Sequence, residues 1–138
     1  MNAKPFLLKL GASAPLALLA ALLGGADIWL MTLIGFTVAD YGTGIIKAIL
    51  TKTLRSGAAY KGGIRKILIY VIVGVAAALD KLLLEDAPIL RSIAICYYIA
   101  TEGLSILENI IQCGVPVPDK LRDVLQRLKN NSEEDKPS

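Results

Sequence analysis

Four ionisable side chains sit where apolar residues dominate: Asp40 and Lys47 within residues 28–50, and Glu102 and Glu108 within residues 89–111. Carboxylates in an apolar setting are raw material for acid–base chemistry, and a lysine beside them for an ion pair. The rest of a catalytic kit is missing. None of the 138 residues is histidine, so His-based triads, His general bases and His metal ligands drop out together. Cys96 and Cys113 lie seventeen positions apart in one apolar stretch. On a helix that is about 25 Å, beyond disulfide reach. With no nucleophile–base pair and no cluster of metal ligands, the sequence predicts no enzyme, no metal and no cofactor. The remaining chemistry is electrostatic. An ionisable group near a bilayer centre costs at least about 2.5–3.5 kcal/mol and needs a partner or water.

Spacing organises these groups. Thr37, Asp40, Gly44, Lys47 and Thr51 advance in steps of three and four and so share one helix face. Tyr98, Glu102, Ser105, Asn109 and Gln112 do the same, with Glu108 on the neighbouring edge. The opposite faces are almost wholly Leu, Ile, Val and Ala. Two polar stripes on separate helices predict an oligomeric or water-facing surface, with packing inside one chain as the alternative. Asp40 and Glu102 fall at matching depths near mid-membrane, where two carboxylates cannot both ionise cheaply. One is then protonated, or water reaches them. Lys47 and Glu108, deeper toward the inner interface, are expected to pair, within a chain or between neighbours. Ser13, Ala17, Ala21 and Gly25 form a small-residue surface that would let helices approach closely.

Such stripes need helices in lipid to carry them. The chain is 54% hydrophobic and 20% charged, with a mean hydropathy of +0.57, a balance tilted toward lipid. Apolar runs cover residues 10–26, 28–50, 67–84 and 89–111. The second has 23 residues, about 35 Å of helix, enough to cross a hydrocarbon core of about 30 Å. The first competes with a cleaved signal peptide ending at Gly24-Gly25-Ala26, but a retained helix is preferred. Gly114-Val115-Pro116-Val117-Pro118 stops the fourth run. Residues 119–129 then place Leu121, Val124, Leu125 and Leu128 on one face, an amphipathic helix for the membrane surface or a partner helix. Residues 130–138 are expected to be a disordered tail. The predicted fold is an all-α, small multi-span membrane protein. It has three to four transmembrane helices in a domain of residues 1–118, and a short amphipathic helix and tail in residues 119–138.

Charge sets the orientation. From Lys47 to Lys66 there are six basic residues and no acid. Boxed between apolar runs, this cluster predicts a cytoplasmic loop and not a nucleic-acid site. Lys52, Arg55, Lys61, Arg65 and Lys66 would set topology, leaving residues 80–91 outside and the C-terminus cytoplasmic.

Asp40-Tyr41-Gly42-Thr43-Gly44 in a span is followed by the basic, glycine-bearing Lys61-Gly62-Gly63-Ile64-Arg65-Lys66. Asp80 closes the third run, and then come Glu102-Gly103-Leu104-Ser105-Ile106-Leu107-Glu108-Asn109 and the Gly-Val-Pro-Val-Pro element. In these motifs, over residues 28–128, the chain resembles the bacteriophage holin family, which includes toxin-secretion holins. The N-terminal third matches only in hydrophobic character. The resemblance implies a non-enzymatic protein of the bacterial cytoplasmic membrane that homo-oligomerises and forms lesions. An endolysin, in host-cell lysis, or a toxin would cross as cargo, with or without direct binding. The runner-up is a small oligomeric ion or solute channel or transporter subunit. A third class is a membrane anchor acting through the amphipathic tail.

Overall fold

Short links, three of the four carrying glycine, proline or aspartate, divide an otherwise helix-forming chain. The computed structural model describes residues 4–134, which form α1 (Lys4–Leu22), α2 (Ile28–Leu50), α3 (Ser56–Leu83), α4 (Ile89–Gln112) and α5 (Asp119–Glu134). No strand occurs among the described residues. Asp27 caps α2 by accepting from the Leu30 amide at 2.9 Å. The cap of α4 comes from another helix: the Asp80 carboxylate accepts from the Leu90 and Arg91 amides at 2.8 and 2.9 Å. Gly114, at φ +87°, turns the chain out of α4, and Pro116 and Pro118 prevent its continuation.

Side-chain bonds define the directions. Arg91, at the start of α4, reaches residues 23–27 just before α2, so these two helices begin at the same end. Tyr41 on α2 donates to the Ala59 carbonyl and Tyr70 on α3 to Thr37, so α3 runs the opposite way. The central helix is α4, in contact with α2, α3 and α5; α1 meets α3. Leu30, Leu33, Ile69, Val73, Ile95 and Ile99 form the core with Leu23. Leu128 of α5 packs against it.

The interior is unusual in what it holds. Thr37, Asp40, Asp80, Arg91, Glu102 and Asn109 are buried, whereas Ile28, Val38, Ile67, Leu82 and many other large apolar side chains are exposed. A water-soluble domain sorts its residues the other way.

Only α2 and α4, among the described residues, have the length and composition to cross a membrane. The expected count of three to four spans is corrected to two on that criterion. The apolar part of α1, Ser13–Leu22, is short. In α3 the uncharged stretch 67–79 is about 20 Å long, bracketed by Lys66 and Asp80. Two further expectations change. The basic segment is mostly not a loop, because α3 begins at Ser56 and carries Lys61, Arg65 and Lys66 in helix. The tail is helical as far as Glu134; its remaining residues, 135–138, lie outside the described ones.

Candidate functional site

Three helices each send one charged side chain to a common point. Lys66, in the third turn of α3, donates from Nζ to Asp40 Oδ2 of α2 and to Glu102 Oε2 of α4. Side-chain exposure is 21% for Lys66, 8% for Asp40 and 5% for Glu102, so the two acids are the deeper members. Asn109 completes the group by donating from Nδ2 to Asp40 Oδ1 and to Thr43 Oγ1, both at 3.1 Å, and to the Asp40 carbonyl at 3.3 Å. One turn away, Tyr70 donates to Thr37 Oγ1 at 2.9 Å, and Thr37 donates to the Leu33 carbonyl at 2.8 Å. Gly44 faces Asn109, where an added Cβ would stand 3.6 Å from Nδ2. Each buried side-chain nitrogen and oxygen among the described residues has a partner.

One ammonium between two carboxylates leaves a formal excess of one negative charge. The arrangement has no nucleophile poised on a base. Its members hold one another across helices instead, in a medium where an unpaired charge is costly.

The two stripes therefore meet within one chain at Asp40, Glu102 and Asn109, through Lys66, while Thr51 and Gln112 at their ends are exposed. The expected dilemma of two adjacent carboxylates, one protonated or both wetted, is resolved differently: Lys66 sits between them. Lys66 was expected to act only in the basic loop. A clue was present, since Lys66 and Tyr70 are four apart while Asp40 and Thr37 are three apart. Antiparallel helices match those rows, provided α3 starts before Lys66.

The expected Lys47–Glu108 pair does not form within the chain. Glu108 is exposed, because it lies one residue, about 100°, round the helix from Asn109, which faces α2. Lys47 and Ser105 line a cavity with Arg55, Arg65 and Lys66, and Lys52 and Lys61 are exposed.

A second cluster, not foreseen, closes the other end of the bundle. Buried Arg91 donates from Nε to the Leu23 carbonyl at 2.5 Å and from NH2 to the Gly25 carbonyl at 2.8 Å. Its NH1 pairs with Asp27 Oδ2 at 2.7 Å. The Arg91 guanidinium, aided by the Leu30 amide, holds the Asp27 carboxyl below its ordinary pKa against the opposite pull of partial burial. Gly24, at φ +87°, is required here, because a Cβ would fall 2.6 Å from the Arg91 side chain.

The pattern of the bacteriophage holin family matches residues 17–130, and with them all members of both clusters. The chain belongs to the bacteriophage holin family. Among relatives of this holin-family protein is an uncharacterised 14.9 kDa protein from the nagH 3′ region of Clostridium perfringens. It is 43% identical over 107 residues, covering 78% of this chain and 81% of that protein. The YqxH protein of Bacillus subtilis is 39% identical over 115 residues, 83% of this chain and 81% of its own. A probable holin of Bacillus phage phi105 is 36% identical over 114 residues, 83% and 84% of the two chains. No solved structure matches this holin-family chain.

Proposed function

We propose that this protein accumulates in the bacterial cytoplasmic membrane as a multi-pass protein with a cytoplasmic C-terminus. There it self-associates and opens lesions through which an endolysin or a toxin leaves the cell. The inverted sorting of the bundle, with ions inside and large aliphatics outside, carries this reading. In this reading α3 packs against the two spans, α2 and α4. Its charges turn inward, Lys66 to Asp40 and Glu102, and Asp80 to the start of α4, so they do not meet lipid. The flank covered by α5 differs from the rest. Leu125 of α5 packs on Gly103, while the outer surface of α5 shows Lys120, Arg122, Asp123 and Arg127. That surface has no place against hydrocarbon and suits a water-filled lumen or the headgroup layer.

Opening then means that the polar faces of α2 and α4 exchange partners inside the chain for water or for a neighbour's polar groups. Glu102→Leu tests this, since it leaves Lys66 and Asp40 as a balanced pair and so spares the bundle. Membrane accumulation, measured by blotting, should persist, while release of a cytoplasmic reporter protein should be lost. Normal release from a fully accumulated variant would overturn the proposal. Induced expression of the wild-type chain should permeabilise cells abruptly after a delay; graded, solute-dependent leakage would assign a channel instead.

A further inference from the structure

The seam between α2 and α3 is open along much of its length, and two cavities lie end to end in it. They share Lys66. The first, of about 530 Å³, has Lys47, Arg55, Arg65 and Lys66 in its wall. The acid in its wall is Asp40, already bound to Lys66. Lys47, Arg55 and Arg65 enter no ion pair among the described residues. The second, of about 640 Å³, is walled by aliphatics that include Leu19, Leu22, Ile34, Val38, Ile67 and Val71. Its hydroxyls, on Thr37 and Tyr70, are bonded to each other.

A site with three uncompensated cations at one end and an aliphatic cleft at the other has the polarity of one kind of molecule. We propose that the α2–α3 seam binds one anionic phospholipid, with its phosphate between Lys47, Arg55 and Arg65 and an acyl chain along Ile67 and Val71. Charge complementarity selects the headgroup. Lys47 and Arg55 flank the link between the two helices, at the level where headgroups meet water. A free phosphate would use the cations but leave the aliphatic half empty. The lipid would fill the space left beside the few bonds that join α2 to α3, so it is a structural ligand of the bundle. The inference rests on the membrane reading above.

The full-length protein, purified in a neutral detergent, would be titrated with phosphatidylglycerol, with phosphatidylcholine of the same chains, and with inorganic phosphate. Native mass spectrometry would count bound lipids, and thermal unfolding would follow stabilisation. One phosphatidylglycerol per chain should be retained and should raise the unfolding temperature, with phosphatidylcholine at least tenfold weaker and phosphate without effect. Replacing Lys47, Arg55 and Arg65 together by Gln should weaken phosphatidylglycerol binding about a hundredfold, about fivefold per cation. If that variant is not helical, Arg55→Gln alone, at an exposed position, should show the single fivefold loss. Val71→Trp, which fills the aliphatic half from an exposed position, should weaken binding with every cation in place. Equal binding of the two lipids, full stabilisation by phosphate, or unchanged phosphatidylglycerol affinity in the variants would each overturn the site. Flotation of the wild-type protein with phosphatidylcholine vesicles separates the two readings. Flotation together with equal binding of the two lipids in the titration overturns the lipid site alone, and failure to float overturns the membrane reading.

Discussion

Two cations, buried Arg91 and half-buried Lys66, organise this bundle in different ways. Arg91 is surrounded by fixed acceptors: two backbone carbonyls in the α1–α2 link and the carboxylate that caps α2. Its own amide is capped by Asp80. Lys66 is held by side chains alone, one from α2 and one from α4. The first cluster ties ends of helices whose separation would require the backbone to change. The second joins helix middles through torsions that rotate freely once the helices part. Backbone acceptors make a staple, and side-chain acceptors make a contact that can be exchanged.

Lys66→Met should have the largest effect. It leaves Asp40 and Glu102 buried without their cation, and breaking a buried pair in this way costs about 3–5 kcal/mol. Membrane accumulation and the melting temperature in detergent should both collapse. A Lys66→Met protein that melts like the wild type would erase the distinction between the clusters. Arg91→Met should come next, at about 1–3 kcal/mol, because the Leu23 and Gly25 carbonyls lose their donor. Its signature should be faster proteolysis within residues 23–27 with reporter release retained. Loss of release without loss of accumulation would move the exchangeable contact to this end.

Gly24→Ala should cost a further order of about 1–3 kcal/mol by combining a left-handed backbone with a clash against Arg91. Part of that cost should vanish in the Arg91→Met background, a coupling that a double-mutant cycle in thermal melts would measure. The smallest effect concerns acid. The Asp27 carboxyl titrates below its ordinary value in the folded chain, so its contribution is present above that value and is lost as pH falls through the lowered one. Because Asp27 is 44% exposed, the contribution stays below about 1 kcal/mol. Acid melts of the wild type and of Asp27→Asn should converge as the pH falls through this range, and parallel curves would remove Asp27 from the staple.

Much of the bundle is legible in the residues themselves. The runs that became α2 and α4, the stop at Gly114-Val115-Pro116-Val117-Pro118, and the shared faces of Asp40 with Thr37 and of Glu102 with Asn109 follow from period and turn chemistry. So does membership of the holin family, which is written in local motifs. The start of α3 was missed because basic residues in sequence look like solvent-facing loop whether or not their backbone is helical. Residues 119–129 are helical as expected, but of the face read as apolar only Leu125 and Leu128 turn inward, onto the chain's own α4 and core, while Leu121 and Val124 are exposed.

Helical phase says which side chains share a face, since that depends on neighbours within a few residues. It does not say which other helix the face meets, or at what height. Lys66 lies 26 positions from Asp40 and 36 from Glu102, and Arg91 lies 64 from Asp27. Whether two carboxylates repel, bind water or share a lysine is decided by the antiparallel register of α3 between α2 and α4. The sequence by itself determined that charges would be buried and on which faces. Only the tertiary structure decided what neutralises them, because an ion pair depends on distance in space and the chain's local rules act along its length.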